Sequence, residues 1–150
     1  MSRTTRHAAG VAAGAALLLT LTACAGPDPD AATRRAQEVF TDLVAAVAAV
    51  DPTTLRTLEV APSADLRCHG GDGVQRVFSA TGTLAVGVDE DGPDAVLEAV
   101  RNVLAAGEWD RIRAGGERAQ IAWIDRGGTV ATFTADAPVM VVSVSTPCLR

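Results

Sequence analysis

The chain has 150 residues, a length that suits one domain better than two. Its composition is 48% hydrophobic and 3% aromatic, which allows an aliphatic core and excludes a disordered polyelectrolyte. Acidic residues outnumber basic ones by 18 to 13, which gives a formal net charge of −5. This balance excludes a nucleic-acid-binding protein, because contacts to phosphates require a basic surface.

The first residues have the pattern of an export signal. Arg3 and Arg6 precede an apolar run over residues 8–23. At about 1.5 Å per residue the run would span about 24 Å, which is shorter than the hydrocarbon core of about 30 Å. A cleaved signal peptide is therefore favoured over the alternative, a permanent transmembrane helix.

The segment Leu21-Thr22-Ala23-Cys24 ends this run and resembles the lipobox of bacterial lipoproteins. The resemblance implies cleavage just before Cys24 and attachment of diacylglycerol to its thiol. An ordinary secreted protein, in which Cys24 is incidental, is the alternative. Two or more acyl chains anchor a protein firmly, so we expect the mature chain at the outer face of the cell membrane.

The expected organisation therefore has three parts. Residues 1–23 form the signal peptide, residues 24–30 a lipidated tether, and residues 31–150 a single globular domain. Cleavage would remove two arginines and lower the net charge from −5 to −7. No basic cluster follows Cys24, so the acyl chains must supply the attachment.

Three cysteines is an odd number for an exported protein. If Cys24 carries lipid, Cys68 and Cys148 remain, and an oxidising compartment favours a disulfide between them. Free thiols are one alternative. A metal site that uses Cys68 and His69 is another, but zinc sites need four ligands in spaced pairs, so we expect no metal or other cofactor.

Two helices are predicted from apolar residues at three- and four-residue spacing. The first covers residues 31–50, with Asp30 as its amino-terminal cap and Asp51-Pro52 at its end. The second covers residues 94–106 and ends before Gly107. A short additional helix over residues 52–58 has weaker support, namely a proline in its first turn.

Six strands are predicted from alternating or β-branched residues between turn signals. A turn at Thr81-Gly82 separates the first two, and glycine pairs separate several of the others. In the strand over 118–125, the residues Ala119, Ile121 and Trp123 should share a face. The predicted strands cover residues 74–80, 83–88, 109–114, 118–125, 129–135 and 139–146.

This order of elements predicts an α+β fold with two layers. We expect an antiparallel sheet of about five to six strands, with the two main helices on one face. Two halves of helix and hairpin suggest an internal duplication, but their residues do not align well enough to establish one.

Residues that could support catalysis are scattered. The acidic segment Asp89–Asp94 lacks the ligand spacing of an EF-hand, and we interpret it as a loop whose acids complement the following helix. The chain has no lysine and no serine-nucleophile motif. A hydrolase that uses paired carboxylates is a third hypothesis. Its candidates lie at strand or turn ends: Asp89, Asp110, Asp125 and Asp136.

Trp109 and Trp123 are the candidate ligand-pocket residues. Large rings in a chain rich in alanine and valine more often fill the core between helix and sheet, so we expect both in the core. A pocket of several hundred Å³ beside either ring would instead indicate a carrier of a lipid or small apolar ligand.

The chain as a whole resembles small lipoproteins of high-GC Gram-positive bacteria, including LppA-like ones. The resemblance rests on the lipobox, on Gly107-Glu108-Trp109 after a helix, and on the segment Ser145–Cys148. The biochemical roles of these lipoproteins are largely unassigned, so our first hypothesis is a non-enzymatic, lipid-anchored domain of the cell envelope that binds a partner protein or a wall component. The carrier is the alternative.

Overall fold

A computed structural model describes residues 28–69, 71–85, 92–112 and 120–150. Cys24, the signal peptide, the acidic residues Asp89–Asp91 and Ala119 lie outside the described residues. Among those described, no helix is long and apolar enough to cross a bilayer.

Helix α1, Pro29–Ala48, begins two residues earlier than its apolar pattern predicts. The prediction of Asp30 as its cap was wrong. The cap is Asp28, whose carboxylate accepts a hydrogen bond from the Asp30 backbone N–H at 3.1 Å. Pro29 can occupy the first helical position because no hydrogen bond is required of its nitrogen there. Of the six apolar residues whose spacing predicts this helix, Val39, Phe40, Leu43 and Val47 are buried, and Val44 and Val50 are partly buried. Ala36 is buried as well.

The second predicted helix is confirmed as α2, Gly92–Ala105. Its buried residues are Val96, Leu97, Val100 and Leu104. Together with those of α1, these side chains cover one face of the sheet and form one continuous core. Phe40 of α1 stacks on Phe78 of the sheet, with ring centroids 5.9 Å apart.

In the described residues, seven antiparallel strands form a single sheet. They are β1 Leu55–Val60, β2 Ala64–Arg67, β3 Val74–Leu84, β4 Trp109–Ile112, β5 Gln120–Asp125, β6 Val130–Asp136 and β7 Val139–Ser145. The order across the sheet is β1-β3-β7-β6-β5-β4, and β2 pairs with β3 beside β1. The α+β, two-layer prediction is therefore confirmed, with one strand more than the predicted upper number.

The predicted short helix over residues 52–58 was wrong. Asp51 accepts hydrogen bonds from the backbone N–H and the hydroxyl of Thr53, at 2.8 and 2.7 Å, and this turn leads directly into β1. These two hydrogen bonds lower the pKa of the Asp51 carboxyl. Tertiary pairing with β3 then outweighs the local helix signal of Pro52.

The predicted turn at Thr81-Gly82 was also wrong, because β3 continues through it. Gly82 faces the core at a crowded point. A Cβ there would lie 2.9 Å from Leu55 Cδ1 and 3.1 Å from Met140 Cγ. The glycine therefore serves close packing inside a long strand and does not reverse the chain.

The turn that the glycine pair at 127–128 predicts after β5 is confirmed. Gly128 adopts a φ of +83° between β5 and β6, a conformation that favours glycine. The Asp125 N–H donates to the Thr129 carbonyl across this turn at 3.0 Å. A cis Ala137–Pro138 peptide bond connects β6 to β7.

The Cys68–Cys148 disulfide is confirmed and joins residues 80 positions apart. Next to it, Val74 and Leu149 exchange two backbone hydrogen bonds, of 2.9 and 2.8 Å. Gly73 fits beneath Leu149, where a Cβ would lie 2.7 Å from the Leu149 carbonyl oxygen. The last residues of the chain are thus fixed to the start of β3.

Candidate binding cleft

The two tryptophans have different environments. Trp123 lies on β5 opposite Ala131 and is 7% exposed, so it belongs to the core as expected. Ile121 shares the face of Trp123 and packs against the same core. Trp109 begins the edge strand β4 and is only half-buried, so its ring borders the core and also contacts solvent.

The position of Trp109 depends on the end of α2. Gly107 terminates the helix and packs against the indole, where a Cβ would lie 2.9 Å from Trp109 Nε1. A side chain at residue 107 would have to displace the ring. The missing Cβ therefore lets the indole lie against the last turn of α2.

Arg35 of α1 reaches the same place. Its guanidinium carbon lies 6.0 Å from the centroid of the Trp109 ring, within the range of a cation–π contact. Its Nε donates to Asp125 Oδ2 at 3.5 Å. The Arg35 side chain is 48% exposed and that of Asp125 is 11% exposed, so the pair spans the boundary between solvent and sheet.

Asp125 is held by a second interaction. Its Oδ1 accepts a hydrogen bond from the Thr129 backbone N–H at 2.9 Å, in the turn after β5. One carboxylate oxygen therefore fixes the turn while the other orients Arg35. Nearby, Arg126 Nε and Glu108 Oε2 form an exposed ion pair at 3.0 Å.

A cleft of about 120 Å³ opens between α1, the end of α2 and Trp109. Val39, Val103 and Leu104 supply apolar lining, while Arg35 and Asp42 add opposite charges. Arg35, Val39 and Asp42 are spaced by four and three residues, which puts them on one face of α1. The cleft thus offers an apolar lining, an aromatic edge and a guanidinium group. Among the described residues, only the Nε of this guanidinium has a hydrogen-bond acceptor.

The carboxylates considered for catalysis do not converge in the described structure. Asp125 pairs in register with Trp109, on the face of the sheet that carries the helices. Asp110 follows Trp109 and points to the opposite face. Asp136 shares that opposite face. It lies six positions along β6 from Val130, about 20 Å at ~3.3 Å per residue, and Val130 is itself two strands away from Asp110.

His69 is exposed and lies next to the disulfide. Because the thiol of Cys68 is bonded to Cys148, it is not a free ligand for the metal site considered above. In the described part of the chain, no three histidine, cysteine or carboxylate side chains are grouped to hold a metal ion.

A second cleft, of about 250 Å³, lies at the amino-terminal end of α1. Its wall includes Asp65 of β2 and Arg76 of β3, which form two hydrogen bonds of 2.8 and 3.0 Å. Hydrogen bonding to Arg76 lowers the pKa of Asp65, and the same pair raises that of Arg76. The carboxylate of Asp65 and the guanidinium of Arg76 therefore already have a charged partner in each other.

Sequence reasoning identified Trp109 but missed Arg35 and Asp125 as its neighbours. Arg35 precedes the buried Val39 by one helical turn, and that spacing could have placed it at the border of the apolar stripe. Nothing in the sequence indicates that the turn after β5 lies beside α1, because 90 residues separate the two side chains.

Comparison with known proteins adds a likeness of fold. No protein-family model matches the chain, and no curated protein matches it. The structure is similar to the crystal structure of a DUF4853 family protein from Actinomyces odontolyticus, with a TM-score of 0.53 and 17% sequence identity. The match covers 81% of this chain and 67% of the other. At this identity the likeness is one of fold.

Proposed function

We propose that this chain is a lipid-anchored, non-enzymatic binding domain of the bacterial cell envelope, attached through acyl chains on Cys24. The lipobox-like segment and the apolar run before it support the anchor. The Cys68–Cys148 disulfide supports an oxidising, extracytoplasmic compartment. The protein of similar fold comes from Actinomyces, which agrees with the high-GC Gram-positive bacteria that the sequence suggests.

The cleft beside Trp109 carries the binding part of the proposal. Aromatic and arginine side chains are enriched where proteins bind partners, because both combine contact area with directional hydrogen bonding. Arg35 and Trp109 stand together at the edge of an apolar cleft, with Asp125 orienting the guanidinium. The partner is a protein segment or a wall component that places a small group in this cleft.

The volume of the cleft favours this function over the carrier. Pockets for drug-sized ligands measure about 300–1,000 Å³. The cleft beside Trp109 measures about 120 Å³, and Trp123 lies in the core. The distribution of Asp110, Asp125 and Asp136 likewise gives a carboxylate-based hydrolase no support.

The anchor is tested with Cys24→Ala in the full chain, expressed in an actinobacterial host. We expect loss of acyl labelling and of partition into the detergent phase, because the variant has no thiol to modify. A chain that is labelled and partitions as before would contradict the anchor.

The cleft is tested by affinity capture from intact envelopes with the full, anchored chain. Arg35→Gln removes the guanidinium, and Arg34→Gln removes a neighbouring exposed charge as the matched control. We expect a captured component that is retained by the wild type and by the control, and lost with Arg35→Gln. Equal retention by all three chains would contradict a role for the cleft.

A further inference from the structure

Two of the five exposed large apolar side chains in the described residues lie at the tip of one hairpin. They are Leu66 of β2 and Val74 of β3, with exposed fractions of 53% and 45%. Arg67 pairs with Val74, and Leu66 pairs with Gln75, so the two apolar side chains point to opposite faces of the sheet. A single apolar side chain would favour contact along one face. One on each face favours contact at the tip itself.

The tip of this hairpin is fixed to the rest of the domain. The Cys68–Cys148 disulfide joins it to the segment after β7, and Val74 exchanges two backbone hydrogen bonds with Leu149. The Cys68 N–H also donates to the Gly73 carbonyl at 3.1 Å, which closes the hairpin across its turn. The apolar side chains at the tip are therefore held by a cross-linked part of the fold, and whatever they contact constrains the orientation of the whole domain.

The amino-terminal end of α1 lies beside the same tip. Pro29 of α1 lines the cleft of about 250 Å³ together with Val74 and Leu149. The start of the helix and the hairpin tip thus occupy one end of the fold. We call this part of the surface the hairpin end, and it consists of residues 28–30, 66–69, 71–74 and 149–150.

The chain before α1 leaves little distance between the hairpin end and the proposed lipid. Asp28 comes four residues after Cys24, and four residues span at most about 14 Å when fully extended. Acyl chains on Cys24 would lie in the hydrocarbon, beneath a headgroup layer of about 5–8 Å. The start of α1 can therefore stand no more than roughly 10 Å above the headgroups. Every orientation of the domain keeps the hairpin end near the membrane.

The charged side chains of the hairpin end limit how deeply it can enter a bilayer. Asp30, Arg67, Asp72 and Arg150 are all exposed, and a charge is costly in hydrocarbon. Among the headgroups these charges keep their hydration, and the arginine side chains can extend past the apolar residues toward the lipid phosphates. The hairpin end therefore fits the headgroup level of a bilayer and not its hydrocarbon core.

We propose that the hairpin end rests on the outer leaflet of the membrane, with Leu66 and Val74 among the lipid headgroups. The inference rests on the acyl anchor of the proposed function, and it adds a second contact that fixes the orientation of the domain. Attachment through four residues alone would allow the domain to tilt in any direction. The rigid tip restricts this tilt, because lying on either face of the hairpin would leave the apolar side chain of the other face in water.

The orientation also sets the height of the cleft beside Trp109 above the membrane. Arg35 comes seven residues after Asp28, a distance of about 10 Å along α1 at ~1.5 Å per residue. The guanidinium end of the cleft is thus no more than roughly 20 Å from the headgroups. A partner that binds in the cleft must present its group close to the membrane surface.

The test uses the full-length, acylated chain in vesicles of equal parts phosphatidylcholine and phosphatidylglycerol that contain lipids with nitroxide-labelled headgroups. An environment-sensitive fluorescent amino acid, incorporated by codon suppression, replaces Leu66, Val74 or Val139, one position at a time. Val139 is the matched control, since it is 41% exposed and pairs with Thr83, nine residues along β3 from Val74. That separation is about 30 Å at ~3.3 Å per residue.

We expect the nitroxide to quench the fluorophore at residues 66 and 74 at least about threefold more strongly than at residue 139, which lies about 30 Å farther from the membrane. The emission at residues 66 and 74 should also shift to the blue when the chain is transferred from detergent-free buffer to vesicles, because water is partly removed from the tip. The emission at residue 139 should not change.

Acyl labelling and flotation with the vesicles are measured first on every chain. A chain that is neither labelled nor floated overturns the anchor, and with it the orientation that depends on the anchor. A chain that is labelled and floats, but is quenched equally at the three positions or most strongly at residue 139, overturns the membrane contact of the hairpin end and leaves the anchor in place.

Discussion

Arg76 and Asp65 face each other on β3 and β2 and are joined by two hydrogen bonds, Nε to Oδ1 at 2.8 Å and Nη2 to Oδ2 at 3.0 Å. This fork-to-fork geometry is the strongest arrangement available to an arginine and a carboxylate. Both side chains are close to half exposed, so the pair affects local titration more than overall stability.

The pair predicts how Asp65 titrates. Its pKa is lowered in the folded protein by Arg76, so the interaction stabilises the fold above the unfolded carboxyl's pKa of about 4 and is lost as the pH falls through the lower folded value. Carboxyl NMR titration should show Asp65 below its usual range in the wild type and close to it in Arg76→Gln.

Asp51 provides the control for this titration. Its pKa is lowered by hydrogen bonds from Thr53, so Arg76→Gln should leave it unchanged. The stability difference between wild type and Asp65→Asn should shrink as the pH falls through the lowered pKa of the folded Asp65 carboxyl. A difference that stays constant from pH 7 to pH 2 would contradict the role assigned to the ion pair.

Gly82 predicts a packing penalty inside β3. Gly82→Val should lower the free energy of unfolding by about 1–3 kcal/mol, because the new side chain would overlap Leu55 and Met140 in a filled core. Urea denaturation measures the change. Gly71→Ala is the control, since no atom lies within 4 Å of the Cβ position there. An equal loss of unfolding free energy in the two variants would contradict this prediction, because the core around Gly82 would then have rearranged to accept the side chain.

The disulfide predicts a larger effect. Replacing both Cys68 and Cys148 by alanine should lower the free energy of unfolding by about 4.5 kcal/mol on the chain-entropy estimate for a closed loop of 80 residues. The comparison is oxidised wild type against the double variant, by denaturant unfolding. The wild type unfolded in a reductant should match the double variant, and an oxidised wild type no more stable than the variant would contradict the estimate.

Gly107 predicts a local change at the candidate cleft. Gly107→Ala places a Cβ 2.9 Å from Trp109 Nε1, so the indole must shift away from the end of α2. The Nε1–H resonance of Trp109 should move in a ¹⁵N-correlated spectrum, while that of Trp123, in the core, should remain in place. Movement of both resonances, or of neither, would contradict the described packing of the ring.

Local patterns were sufficient for part of the fold. The apolar stripes of α1 and α2 predicted the buried side chains because a helix repeats its contacts every three or four residues, whatever lies beyond it. The turn at Gly128 was predictable for a similar reason, since a glycine with positive φ satisfies a requirement within a few residues. The α+β architecture followed from the order of such elements.

The errors have a common cause in long-range contacts. Gly82 was interpreted as part of a turn, but it lies inside a strand. The glycine is needed there because Leu55 and Met140, which are distant in the sequence, leave no room for a side chain. Residues 55–58 are a strand because β3 pairs with them, although Pro52 suits the start of a helix. The contact of Arg35 with Asp125 was unpredictable in the same way, because it depends on where α1 lies over the sheet.

The position of β7 in the sheet has a consequence for folding. It comes last in chain order among the described strands, yet it lies between β3 and β6 and joins the two halves of the sheet. Before residues 139–145 are available, β1 to β3 and β4 to β6 have no shared hydrogen-bond ladder. Completion of the sheet therefore depends on β7, and its pairing with β3, from a distant part of the chain, predicts folding that is slow relative to helix formation.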